Sequence, residues 1–259
     1  MKFSAKVIGF LTGLQPVIAC ATTNVKKEYP DAFKVSLTVQ KDKIVATTHN
    51  GYVALANDIV SQNNLDLSIE APGLATVKAN DLLNTVNSFA LNETLRITLN
   101  GTELEFRSSA VTDAEPAEQT LPLDNADVVV PALASEFDKE MTVRRDVLVN
   151  AMNKILFSIG FEKFRPEFLY WIMRVKNGNL RAVCGDGARF AVYEIDGDSV
   201  VKTKKPFDLC VHKDQTPVVQ KIFSLFPDDE VTIQSYARGD NDSLMDQIVM
   251  KVGSATMIL

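Results

Sequence analysis

Apolar and polar positions along this chain follow two periods, and the order in which the periods succeed each other occurs twice. Alternation with a period of two predicts strands, and recurrence near 3.6 predicts helices. In the first half this gives a strand at Phe3–Ala5, a helix over about Val7–Ala19, and a meander of three strands, Phe33–Val39, Lys43–Thr48 and Tyr52–Ile59. The meander is punctuated by Lys41-Asp42 and Asn50-Gly51, residue pairs suited to tight turns. Strands at Leu65–Ile69 and Ala75–Val77 then lead to a helix opening at Asn80, with Leu82, Leu83 and Val86 on one face. Strands Thr94–Leu99 and Glu103–Arg107 meet at Asn100-Gly101, a strong hairpin signal. The second half predicts a strand at Glu140–Val143, a helix over Arg144–Phe157, and a meander of Phe168–Val175, Leu180–Cys184 and Phe190–Ile195 turning at Asn177-Gly178 and Asp186-Gly187. It closes with a strand at Phe207–Val211, a helix over about Asp214–Phe226, and strands at Glu230–Tyr236, Gln247–Val252 and Ala255–Ile258.

The duplication is visible in the residues themselves. Leu37–Ile59 lies without a gap over Met173–Ile195, an offset of 136 residues that sets Val39 on Val175, Ile44 on Leu180, Ala46 on Ala182 and Gly51 on Gly187. The same offset places Val86–Phe89 on Ile222–Leu225, and Leu95 and Ile97 on Val231 and Ile233. An overlay that survives the intervening chain predicts two tandem α+β domains, residues 1–123 and 137–259. The stretch Thr112–Leu133 is rich in Asp, Glu, Ala and Pro, and residues 124–136 are expected to form an acidic surface connector.

Composition narrows the functions available to such a chain. With 46% hydrophobic and 23% charged residues it is an ordinary globular sequence, and its net charge of −6 argues against a protein that grips nucleic acid over its whole surface. Any nucleic-acid contact must be local. Cys20, Cys184 and Cys210 lie far apart with no CxxC spacing, and His49 and His212 have no histidine at ligand spacing, so no metal site or disulfide framework is encoded and a reducing cytoplasm is the expected compartment. The sequence carries no GxGxxG, P-loop, GxSxG or HExxH pattern, and Asp186-Gly187 lacks the flanking acids of a calcium loop. No enzyme and no cofactor is expected. One feature points elsewhere: Met1-Lys2, the apolar run Val7–Leu14 and then Val17-Ile18-Ala19-Cys20 imitate a signal ending in a lipidated cysteine. A secreted, lipid-anchored two-domain β-rich protein is therefore the competing reading. Lys6 beside the apolar run and Gln15-Pro16 within it oppose that reading.

The amino terminus MKFSAKVIGFLTGLQPV, with Lys2-Phe3 and the Leu11, Leu14, Gln15, Val17 spacing, resembles the opening strand and helix of bacterial DNA sliding clamps, the beta subunit of DNA polymerase III. The second half carries a sharper resemblance in Phe164-Arg165-Pro166, Gly178-Asn179-Leu180-Arg181-Ala182-Val183 and Gly185-Asp186-Gly187-Ala188-Arg189-Phe190-Ala191. The last is similar to the family's Thr-Asp-Gly-His-Arg-Leu-Ala, with Gly185, Ala188 and Phe190 departing from it. Bacterial clamps have three such domains per chain and close as dimers, whereas this chain has two, the arrangement of trimeric clamps.

The resemblance implies two clamp domains, each with a β-sheet outer layer and two helices on the inner face. It implies a cytoplasmic, ring-shaped processivity factor around duplex DNA, with a homotrimer favoured over a dimer and over a clamp-like module that forms no ring. Helix-borne cations would meet the phosphates without reading sequence: Arg144, Arg145, Lys154, Lys213 and Lys221 in the second domain, with Lys6 and Lys78 in the first. DNA polymerase and the clamp loader would dock through short peptides in a pocket floored by Phe168, Gly185, Gly187, Arg189 and Phe190, with Met257 and Ile258 as additions.

Overall fold

The computed structural model describes the chain apart from residues 61–65, 110–115, 125–126, 132–135, 162–164, 177–178, 196–200, 204–205, 228 and 237–246. The expected turn at Asn177-Gly178 and the motif residues Phe164 and Gly178 lie partly or wholly outside the described residues. Two compact units are formed, Met1–Val130 and Pro131–Leu259.

The first unit contains β1 (Lys2–Lys6), α1 (Val7–Thr22), β2 (Lys34–Val39), β3 (Lys43–His49), β4 (Ala54–Val60), β5 (Ser68–Ala71), β6 (Gly73–Lys78), α2 (Ala79–Asn87), β7 (Thr94–Asn100), β8 (Glu103–Ser108) and β9 (Glu118–Pro122). Its strands pair antiparallel in the orders β5-β1-β7-β8-β9 and β4-β3-β2-β6. The two helices pack on each other and on strands of both sets. Helix α1 buries Val7, Phe10, Leu11, Leu14, Val17, Ile18 and Ala21, the recurrence that predicts it. Gly13 is required where β4 crosses it: a Cβ there would lie 2.9 Å from Ile59 Cγ1, and the Asn57 amide donates to the Gly13 carbonyl at 2.7 Å. The face of α1 that carries Gly13 and Pro16 is therefore partly packed, and Ile8, Thr12 and Gln15 form the exposed one.

The second unit repeats the arrangement with β10 (Lys139–Arg144), α3 (Arg145–Ile155), β11 (Tyr170–Lys176), β12 (Asn179–Gly185), β13 (Phe190–Ile195), β14 (Val201–Thr203), β15 (Phe207–His212), α4 (Thr216–Leu225), β16 (Glu230–Tyr236), β17 (Gln247–Val252) and β18 (Ala255–Ile258). The pairing orders, β14-β10-β16-β17-β18 and β13-β12-β11-β15, copy those of the first unit strand for strand. Register is copied too. Val39 opposes Ile44 and Ile44 opposes Ile59 in the first unit; Val175 opposes Leu180 and Leu180 opposes Ile195 in the second, each 136 positions on. The buried face of β11 carries Trp171, Met173 and Val175, and Trp171 Nε1 donates to the Thr216 hydroxyl of α4 at 2.9 Å.

Several elements differ from expectation, among them the short strand β14, which is not predicted. Strand β9 lies in the Asp-, Glu-, Ala- and Pro-rich stretch just ahead of the expected connector, where no strand is predicted; only Leu121 of its five residues is buried, so an edge strand of this kind leaves almost no alternation in the sequence. Beyond it, Asp124, Asp127, Val128 and Val129 are hydrogen-bonded to the first unit, Val128 N to Ser36 Oγ at 3.0 Å and Asp124 N to the Thr76 carbonyl at 2.7 Å. Helix α3 stops at Ile155 and a 3-10 turn carries Leu156–Ser158.

The lipid-anchor reading conflicts with this packing. Cys20 is fully buried, its thiol bonded to the Val53 carbonyl at 3.6 Å, and burial pushes the thiol pKa far up. Removing the residues before Cys20 would delete β1 and most of α1, which supply Phe3, Phe10 and Leu14 to the core. No helix among the described residues is long and apolar enough to cross a membrane.

Asn50 locks the first unit's β3–β4 turn. It is wholly buried; its amide donates to the Cys20 and Thr23 carbonyls at 3.2 and 2.9 Å, and its carbonyl oxygen accepts from Tyr52 N and Val53 N at 2.9 Å each. Asn50→Ala orphans these buried groups and should destabilise the unit by about 1–3 kcal/mol, read as a lowered midpoint in urea unfolding.

Candidate functional site

The β12–β13 turn of the second unit is built on the same lock. Asp186 Oδ1 accepts from Ala188 N at 2.9 Å and Arg189 N at 2.7 Å, the counterparts of the bonds that Asn50 makes two and three residues on. Gly187, like Gly51, has a φ near +90°, a conformation glycine adopts without strain. The surroundings then diverge. In the first unit the loop after α1 closes on the turn: a Cβ at Gly51 would lie 2.7 Å from Lys26 Cβ and 3.1 Å from Tyr29 Cβ. In the second, Gly187, Ala188, Arg189 and Phe190 are exposed, Phe190 to 71%.

Five of the expected pocket residues gather at this turn. Gly187 faces the Phe168 ring, since a Cβ there would be 3.2 Å from Phe168 Cε2, and Gly185 faces Phe190, with its Cβ position 3.1 Å from Phe190 Cδ2. Arg189 is held within the turn, its Nε and Nη2 donating to Asp186 Oδ2 at 2.9 and 2.7 Å. Sequence reasoning missed Gly160 and Arg165. Gly160 N donates to the Phe168 carbonyl at 2.9 Å and a Cβ on it would strike Phe168 Cβ at 2.8 Å, while the Arg165 guanidinium stands 5.8 Å from the Phe168 ring centre. A glycine between Phe157 and Phe161, both exposed, was the available signal. Met257 and Ile258 are not part of this group: they lie on β18, in the other strand set, with Met257 fully buried and paired with Met250 of β17.

The helix cations separate into two classes. Arg144 forms a bidentate pair with Asp146, Arg145 donates to the Pro227 carbonyl at 2.7 Å, Lys6 pairs with Asp66 at 2.6 Å, and Lys213 lies 3.4 Å from Asp214 and over the Phe161 ring. Lys154, Lys221 and Lys78 are exposed and have no side-chain ion pair among the described residues. Lys154 and Lys221 sit on α3 and α4, which pack together, and the exposed neighbours of Lys154 on α3 include Asn150 and Asn153. Asn150 is turned toward the sheet, donating to the Tyr193 hydroxyl at 2.7 Å. The exposed faces of α1 and α2, with Thr12, Gln15, Asn80, Asp81, Asn84 and Asn87, hold no cation. Among the described residues no group of three or more His, Cys, Asp or Glu side chains is placed to hold a metal ion.

Neither a protein-family model nor a curated protein matches this sequence. Solved structures do. The DNA polymerase III subunit beta from Pseudomonas aeruginosa superimposes with a TM-score of 0.77 at 19% identity, over 100% of this chain and 64% of that one. The DNA polymerase sliding clamp from Bacillus subtilis gives 0.78 at 15% identity, over 100% and 63%. This is the sliding-clamp fold. A further Pseudomonas aeruginosa sliding clamp, bound to griselimycin, matches at 0.77 and 19%, again over 100% of this chain and 63% of that one. The chain thus spans a little under two thirds of the length of these clamps, and both of its units fall within the sliding-clamp fold.

The turn makes a pH-dependent prediction. Hydrogen bonds from the Arg189 backbone and guanidinium, and from Ala188 N, hold the Asp186 carboxyl down to about 2. Because the folded value lies below that of a free aspartate, about 3.9, the turn's stabilisation is complete above that value and is lost as pH falls toward 2. An NMR titration should place the Asp186 midpoint near 2, and Arg189→Ala should move it upward.

Proposed function

We propose that this chain is a DNA sliding clamp, a non-enzymatic processivity factor that encircles duplex DNA and tethers DNA polymerase and other replication proteins. One observation carries the reading: the whole chain, both units included, superimposes on bacterial sliding clamps at TM-scores of 0.77–0.78. The site chemistry agrees with it. A protein that must slide needs weak, sequence-independent phosphate contacts, because topology retains it. The free cations of α3 and α4 and a net charge of −6 suit that requirement better than they would suit a tight binder.

Two units per chain favour a trimer, in which six units complete the ring. The open turn around Phe168, Gly187 and Phe190 is the place where a short peptide from a polymerase or loader would insert an apolar anchor. The expected compartment is the cytoplasm, where DNA replication proteins act in bacteria.

Light scattering tests the assembly: a trimer of the 28.5 kDa chain weighs about 85 kDa and a dimer about 57 kDa. A 28.5 kDa monomer that is not retained on primed circular DNA overturns the proposal. Charge reversal tests the contact surface. Lys154→Glu with Lys221→Glu should shorten retention on circular DNA several-fold and lower the salt slope by about 1 per residue, whereas Lys6→Glu, at a position already paired with Asp66, should have a smaller effect.

A further inference from the structure

The two units present the same sheet with opposite treatment of its outer face. In the first unit, the row Thr76–Ser36–Thr47–Ala56 crosses β6, β2, β3 and β4 on the face turned away from the helices. Asp124 and Asp127–Val129 lie on it, held by polar contacts: Thr76 Oγ1 donates to Asp127 at 3.1 Å, Ser36 Oγ accepts from Val128 N, Lys34 pairs with Asp124 at 3.0 Å, and His49 Nδ1 lies 3.2 Å from the Val129 carbonyl. Ser36 and Thr76 are each left 2% exposed.

The register places Cys210, Ile172, Val183 and Val192 at the matching positions of the second unit. The polar holders are gone: Ser36 becomes Ile172, Thr76 becomes Cys210, Lys34 becomes Tyr170 and His49 becomes Gly185. This row is open, with Ile172 38% and Val192 48% exposed. The row beside it consists of ion pairs that satisfy themselves, Arg174 with Asp208 and Arg181 with Glu194, so nothing there calls for a charged ligand.

We propose that this row binds an extended, uncharged apolar peptide segment of a partner protein, laid across Ile172, Val183 and Val192 as Asp127–Val129 lie on the matching face of the first unit. The dimensions select the occupant. Four strands about 4.8 Å apart make a strip of about 14 Å, the reach of roughly four extended residues, with an area of about 100 Å². A stable contact between two folded copies needs about 800 Å² from each, far more than one row of side chains supplies. Apolar side chains, rather than the backbone-to-hydroxyl bonds of the first unit, provide the recognition. The case rests on the duplicated sheet and not on ring formation; the strip adjoins Phe190, so a peptide anchored at the open turn continues onto it.

Cys210 lies in the row and is the exposed one of the three cysteines, so its rate of modification by a disulfide reagent reports occupancy on the full chain. The probe is a synthetic peptide of Leu123–Pro131 carrying Asp124→Val and Asp127→Val, with the unaltered peptide as control, because its aspartates meet Lys34 and Thr76 in the first unit and only Tyr170 and Cys210 here. Saturating altered peptide should slow Cys210 modification about tenfold, as an interface anchor requires, and the unaltered peptide should protect less. Ile172→Asp and Val192→Asp should each remove the protection, Ile172→Val should keep it, and Phe190→Ala should leave most of it. Should either aspartate variant not fold, Ile172→Thr and Val192→Thr replace them and should weaken protection. Absence of protection, protection that survives the Ile172 and Val192 variants, or protection lost only with Phe190→Ala overturns the proposal; the last outcome confines docking to the turn and leaves the clamp reading standing.

Discussion

Burial of one face of each four-stranded set against a pair of helices is the constraint on which the rest of this structure depends. Successive strand residues point to opposite faces, so sliding any strand by one position would expose Leu37 and Val39, or Trp171 and Met173, and bury polar residues instead. The buried rows therefore pin the cross-strand register, and they pin it identically in both units, with Val39 opposite Ile44 and Val175 opposite Leu180. The turns follow from the register. Asn50 and Asp186 occupy the same point in the ladder and cap the same two amides, one with an amide side chain and the other with a carboxylate.

This explains which parts of the molecule were legible in the sequence. Rows facing the helices keep their apolar character in both copies, so the repeat and several turn positions could be read from residues such as Ala46 and Ala182 or Gly51 and Gly187. Edge elements could not. Strand β9 contributes one buried side chain, and the segment beyond it is held through Ser36, Thr76 and Lys34, whose short polar bonds leave no periodic trace in the segment itself. The same limit governed the candidate site. Gly185, Gly187 and Phe190 came together because the turn is written locally, with Phe168 brought to it from before β11, whereas Met257 lies in another sheet by the strand order.

The sequence predicts local rather than overall positive charge, and the roles of individual cations depend on partners that sequence spacing does not reveal. Arg144 and Asp146 are two residues apart, and the strand-to-helix junction brings their charges together; Lys6 meets Asp66 from a distant loop. Exposed pairs of this kind contribute little to stability, but each reduces the positive field available to a polyanion. Lys154 and Lys221, on adjoining helices, escape such pairing among the described residues. For the proposed clamp this distribution is favourable, since a few solvated lysines on a chain of net charge −6 hold DNA loosely and leave retention to closure of the assembly.

Once the helix-facing rows fix the backbone, the opposite face of each sheet is free to change without cost to the fold, and the two copies have used that freedom differently. The first unit closes its face with its own chain and closes its turn with Lys26 and Tyr29, leaving Ser36, Thr76 and Asn50 almost without exposure. The second replaces the residues that would hold such a segment with Ile172, Cys210 and Tyr170, and leaves Phe190 standing out of the turn. Exposed apolar side chains on adjacent strands raise the risk of nonspecific association, so their grouping beside an open turn in one copy, opposite a closed and polar counterpart in the other, is the pattern expected of a surface that receives something. Division of labour between duplicated units, one sealed and one open, then follows from side-chain changes on a single face.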